Sequence, residues 1–339
     1  MSVEKLAKTY QPKVLAALLA AFADVRSEAS VVDLERLIRA RNYEGALRIL
    51  GIDAAAFNVF EQTLVNAYSA SGTDLASKIP KLKDPITSTR ATFRFDVRDA
   101  RAERYLREHS SNLITRLVAD QREAVRVVLQ EGLAVGSNPR QTALDVVGRI
   151  NPLTGRREGG VIGLNKQQAE FVRNMRAELR DPELMSNYFT REMRDKRFDA
   201  TVSRALRSGK PLDRETINKL STRYSDKLLK LRGDTVARTE TLNVMREARV
   251  ESTKQLIDTG RIKKSQAKKI WDSTGDDGRT RDSHLQMEGV TVDIDEPFVL
   301  PDGSRMMYPG DSSLGAPAKE IINCRCRPQI KIDFLAGVL

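Results

Sequence analysis

DTVARTETLNVMREARVESTKQLIDTGRIKKSQAKKIWD, residues 234–272, contains the change of pattern on which the fold class turns. Up to Gly260 the apolar residues keep a three-and-four step, continuing a helical rhythm that begins near Asp213, with Gly233 a candidate break or kink. Beyond residue 265 the rhythm stops. Ile270-Trp271, Gly289–Ile294, Pro297–Leu300, Met306–Tyr308 and Gln329–Ile332 are short apolar pieces divided by Gly, Pro and Asp, and Pro301-Asp302-Gly303 reads as a turn between two of them. A small, loop-rich, mostly β module therefore follows a long helix.

Outward toward the N-terminus the reading stays helical. Val14, Leu15, Leu18, Leu19, Phe22 and Val25 share one face, and further helices are expected at 31–50, 53–70, 98–132, 138–150, 165–180 and 188–208. Ser71 to Phe93 lacks a clear period and reads as a linker or extended arm, and the four glycines of 151–163 with Arg156 and Arg157 read as an exposed basic loop. The fold class is α+β, with a helical N-terminal region (1–85), an elongated basic helical region (86–265) and a small β-rich tail (266–339).

Composition narrows the functional classes. The 339 residues are 40% hydrophobic and 30% charged, which suits a packed core, and only 5% aromatic, which favours aliphatic helix packing. No apolar run reaches the ~18 residues of a membrane span, and the first residues lack an apolar signal region, so the expected compartment is a cytoplasm. Cys324 and Cys326 cannot build a disulfide framework. The net charge is +11, and all of it lies in residues 81–260, where 36 Lys/Arg face 25 Asp/Glu. Such a basic middle suits a polyanion, DNA or an acidic protein surface, and equally a solvated arginine-rich helix face.

Several stretches read together carry a family resemblance. DTVARTETLNVMREA (234–248), IWDSTGDDGRTRDSH (270–284), MEG (287–289), PF (297–298) and INCRC (322–326) resemble the phage Mu protein F-like minor head proteins; RFDVRDARAERYL (94–106), EGLAVGSNPRQTA (131–143) and GLNKQQAEFV (163–172) are similar more loosely. The resemblance implies a protein of the phage virion, present in few copies in the head near the portal vertex and made in the host cytoplasm. It implies portal protein, major capsid or scaffolding proteins and packaged DNA as partners, and a role in head morphogenesis and in DNA packaging or ejection. Many relatives carry C-x-x-C at the turn and a His just before the terminal cysteines. Here Arg281-Asp282-Ser283-His284 and Glu320-Ile321-Ile322 stand there, so a four-ligand cysteine/histidine site does not carry over.

His284, Cys324 and Cys326 are three soft donors, with Asp276, Asp277 or Asp282 as candidate fourth ligands. Two readings stand: no cofactor, with the cysteines flanking a tight turn, or a zinc ion bracing a thin core. Asp276, Asp277, Arg279 and Arg281 read as residues locking their turn. Glu240, Asn243 and Glu247 share a helix face, and Arg238 with Glu240 is expected to pair with polar turns of the tail. Arg156, Arg157, Arg238 and Glu240 are the candidate DNA or partner contacts. Trp271, Val292, Phe298 and Val299 are the expected tail core, partly against Val236, Leu242 and Met245, so removing the tail should leave the N-terminal helices folded. No nucleophile–base set, phosphate loop or dinucleotide fingerprint is present, which argues for a non-enzyme. The alternative is a non-sequence-specific DNA-binding factor acting free in the host cytoplasm.

Overall fold

Long helices dominate because the apolar steps noted above persist for many turns. A computed structural model describes residues 3–83, 88–273 and 278–334 and has an α+β fold. The helices are α1 (Val3–Glu28), α2 (Val31–Arg39), α3 (Tyr43–Ile49), α4 (Asn58–Ala76), α5 (Ala100–Ala134), α6 (Pro139–Val147), α7 (Lys166–Arg180), α8 (Asp199–Ser208), α9 (Arg214–Asp258) and the short α10 (Asp282–Leu285) and α11 (Ala318–Ile321). Gly233 does not interrupt α9. The stretch expected to be helical from 188 holds two short 3-10 turns before α8 begins. No described helix is long and apolar enough to cross a membrane.

The chain divides into two units that are discontinuous in sequence. Unit 1 is residues 1–16, 60–110 and 235–339; unit 2 is residues 17–59 and 111–234. These do not coincide with the consecutive segments 1–85, 86–265 and 266–339, because α1, α4, α5 and α9 each give residues to both units.

In unit 1 the C-terminal half of α9 is the spine. Ser71 Oγ donates to the Met245 carbonyl (2.7 Å), Ser252 Oγ to the Gly72 carbonyl (3.2 Å), and Arg249 pairs with Asp74 (3.0 Å). A Cβ at Gly72 would lie 2.3 Å from the Phe95 ring, so only glycine permits that approach. The expected linker at 71–93 is thus corrected: α4 runs on to Ala76, and Leu82–Lys83 (β1) pairs with Arg90–Ala91 (β2). The tail folds around Ala267–Asp272 (β5), which pairs antiparallel with Thr291–Asp293 (β6) on one side and Arg327–Ile332 (β9) on the other. Phe298–Val299 (β7) and Arg305–Met306 (β8) form a separate hairpin. Along β5 the alternation buries Ala267, Lys269 and Trp271 on one face.

Two apolar clusters lie in unit 1 around the tail. Trp271, Met287, Phe298, Leu300 and Met306 pack with both cysteines and partly buried Val292. Val299 is 57% exposed on the outer face of β7 and does not join them. A second cluster joins tail residues Ala267, Ile294 and Tyr308 to Ala76, Ile79 and Phe93 and to Val250 and Leu256 of α9. The tail therefore packs on the end of α9 and on the α4 region.

In unit 2, Arg149–Ile150 (β3) and Arg157–Glu158 (β4) pair as a hairpin, and Val161, Ile162 and Leu164 are fully buried. Gly159, Gly160 and Gly163 therefore do not lie in an exposed loop. They let the backbone press against α9, where Asp226 accepts the Gly159 N–H (2.9 Å), Ser225 Oγ donates to the Gly160 carbonyl and Arg232 donates to the Gly163 carbonyl (3.0 Å). Gly163, at φ +93°, sits where a Cβ would meet Leu229 and Phe22. Only the hairpin end remains exposed. Arg156 projects there, whereas Arg157 turns back to the Gly148 carbonyl (3.2 Å).

Candidate functional site: the ARTE helix and the NCRC turn

The turn at residues 322–326 is held by α9, residue by residue. Asn323 adopts a left-handed conformation (φ +58°), which asparagine tolerates better than most non-glycine residues. Arg238 donates to its side-chain oxygen (3.3 Å), and the Thr239 hydroxyl accepts its backbone N–H (3.0 Å). Two turns along the helix, Arg246 is almost fully buried and forks to the Cys324 carbonyl and the Pro309 carbonyl, both at 2.8 Å. Arg281, just before α10, reaches the Ile322 carbonyl (2.5 Å). The stretches that stand out in the sequence are thus one another's partners.

Arg238 meets the tail turn, but Glu240 does not. Its carboxylate lies 3.0 Å from His109 Nε2 on α5, and the His109 ring stacks on Tyr105, which stacks on Tyr68. The Arg238–Glu240 pair is therefore divided between two neighbours. Steps of three and four along α9 turn successive polar residues toward different elements, so a shared partner does not follow from proximity in sequence.

Behind the turn the three soft donors converge. His284 Nδ1 lies 3.6 Å from Cys324 Sγ and 3.4 Å from Cys326 Sγ, and the three donor atoms are all within 4.8 Å of one another. Each residue is at most 2% exposed. The Trp271 ring sits edge-on to the imidazole (5.1 Å) and limits its rotation. On the far side of the ring, Nε2 lies 3.0 Å from the buried Glu320 carboxylate, and that carboxylate accepts a hydrogen bond from Ser283 Oγ (2.9 Å). A hydrogen bond from Cys326, with the Arg246 charge and His284 beside it, holds the Cys324 thiol well below its ordinary value despite burial. Cys326 shifts the other way, because its proton is shared with the Cys324 sulfur and its surroundings are dry.

Glu320 and Arg246 are the site residues that sequence reasoning missed. Glu320 sits on the four-residue helix α11, too short for a period, and Arg246 lies within the ARTE stretch with nothing local to mark it as buried. Among the candidate fourth ligands, Asp282 is exposed at the start of α10 and outside the donor cluster, while Asp276 and Asp277 lie outside the described residues.

A second feature lies in unit 2. Lys219, Arg223, Lys227 and Lys230 are exposed at steps of four, four and three on α9, and with Arg149 and the 149–153 arm of the hairpin they line one cleft. Glu158, Asp195, Glu215 and Asp226 temper its charge, and unit 2 as a whole carries 29 Lys/Arg against 22 Asp/Glu.

Comparison with known families bears on this geometry. Residues 196–329, about two fifths of the chain, match the family described as Phage Mu protein F like protein, and the matched stretch contains the ARTE helix, the His284 turn and the NCRC turn. No curated protein and no solved structure matches the chain significantly.

Proposed function

We propose that this chain, Mu F-like over residues 196–329, is a minor structural protein of a tailed-phage head, incorporated near the portal vertex, where it assists head morphogenesis. What supports the reading is that the landmarks of the matched stretch grip one another: Arg238, Thr239, Arg246 and Arg281 all hold the 322–326 turn. Polar groups committed to fixing a surface suit a docking module better than turnover, and the function is non-enzymatic on this reading. Its partners are the portal protein, major capsid or scaffolding proteins and packaged DNA. It is located in the virion after assembly in the host cytoplasm.

Mass spectrometry of purified virions tests this. The expected result is this chain at low copy number relative to the major capsid protein. Its absence from virions, with abundance in the infected cytoplasm, would favour a free DNA-binding factor, a second reading supported by the lysine and arginine stripe of α9.

DNA binding has its own test. Phosphate neutralisation releases counterions, so the logarithm of affinity for duplex DNA should fall against the logarithm of salt with a slope of about −0.9 per phosphate. Replacing Lys219, Arg223 and Lys230 by Gln should make the slope shallower by about 0.9 for each phosphate no longer neutralised. Equal weak binding by both proteins at low salt would assign the charge to an acidic protein partner or to solubility.

A further inference from the structure

The geometry points to a zinc site formed by His284 Nδ1, Cys324 Sγ and Cys326 Sγ, with Glu320 holding the imidazole from behind, a site that braces the tail of unit 1. Zinc–sulfur bonds of about 2.3 Å and zinc–nitrogen bonds of about 2.05 Å at tetrahedral angles place sulfur and nitrogen about 3.5 Å apart. The two observed separations, 3.6 and 3.4 Å, bracket that edge. Two thiolates and an imidazole are also the donor set zinc favours over harder cations.

The Glu320 carboxylate is an independent indication. Its charge, 3.0 Å from a buried Nε2 that has no hydrogen-bond partner, favours a proton on that nitrogen and so leaves the Nδ1 lone pair toward the sulfurs. A carboxylate placed behind the ring in this way is where zinc-ligating histidines commonly find their second partner. A metal-free hydrogen bond would need only one thiol, since a single lone pair accepts a single proton well. The tetrahedral arrangement directs both sulfurs and the nitrogen at one point. Among the described residues no other His, Cys, Asp or Glu joins the cluster. Both thiols give up their protons to solvent as the two sulfur–zinc bonds form.

The function of such a site is mechanical. His284 follows β5 by a dozen residues, and the cysteines precede β9, so the ion would tie both flanks of the small sheet to one point. Sheets this small have thin cores, and metal binding then becomes folding free energy.

The full chain, expressed and purified under reducing conditions without chelator, should contain about one zinc per molecule by elemental analysis. Exchange with cobalt should give tetrahedral d–d bands and a thiolate-to-cobalt charge-transfer band. Cys326→Ser and His284→Ala should each lose the metal. Glu320→Gln should keep the stoichiometry but bind about 10–100-fold more weakly in competition with a chelator. A folded wild-type chain with two free thiols, no zinc and no thiolate–cobalt band overturns the proposal, as does zinc that survives Cys326→Ser and His284→Ala together. If either variant fails to fold, the cobalt spectrum of the wild-type chain decides.

Discussion

Arg246 shows how much a single side chain can hold. Its guanidinium satisfies two buried carbonyls on different loops, those of Pro309 and Cys324. Arg246→Met would leave both without partners, at about 1–3 kcal/mol for each. A loss of about 2–5 kcal/mol in denaturant unfolding is expected, and Arg246→Lys should recover only part of it, because a point charge cannot fork. Glu247, its neighbour, makes stability depend on pH. Burial pushes its carboxyl from 4.5 up to about 7, against the pull of Lys254. A carboxyl held above its unfolded value carries no penalty below about pH 4.5; the penalty grows as pH rises toward about 7 and then levels off. Glu247→Gln should therefore stabilise the protein above pH 7, by at most about 3 kcal/mol, with the gain fading toward pH 4.5. A wild-type-minus-variant difference that is flat with pH would show that the carboxyl is not held neutral. Lys269 has the opposite slope. Burial, reinforced by Lys254, lowers its amine to about 8, so its penalty appears as pH falls from 10.5 to about 8.

Among the elements, what the sequence revealed depended on how far each interaction reaches along the chain. The face of α1, the long span of α5 and the change from helix to strand near residue 265 follow from local periodicity, which a side chain's neighbours at three and four steps enforce. The Ser71-Gly72 stretch looked like a linker because small residues blur that periodicity. In the fold their smallness serves the crossing of α4 and α9. His284, Cys324 and Cys326 were legible as candidates because their chemistry is uncommon. That His109 would face Glu240, or that Glu320 would back His284, required chain reversals that no short window contains. Gly72→Ala tests the crossing. Ala favours helix by up to about 1 kcal/mol over Gly, but the Phe95 ring must move away from the new methyl, at about 1–3 kcal/mol. A net loss of stability is expected in thermal or denaturant melts, and a gain would mean that Phe95 yields freely.

At the scale of the whole molecule, the tail proves to be part of unit 1 and not an appended module. Ile262, Ala267, Ile294 and Tyr308 share a cluster with Ala76, Ile79, Phe93, Val250 and Leu256. A stop after Gly260 therefore strips one side of that cluster, contrary to the expectation that the N-terminal helices would stay folded without it. Hydrogen exchange on the truncated protein should show reduced protection through 60–110 and 235–258 with protection kept in 17–59 and 111–234. Uniform protection throughout would restore the separable tail. Residues before 17 also belong to unit 1, and Glu4 pairs with Arg327 at 2.7 Å across more than three hundred positions of chain. That span orders events on the ribosome. Every residue of unit 2 has been synthesised once Asp234 is added, whereas the N-terminal segment of unit 1 must wait for β9 before its enclosure can close. A polypeptide released early would thus present one finished half and one open half, because the 322–326 turn meets its partners on α9 only late in synthesis.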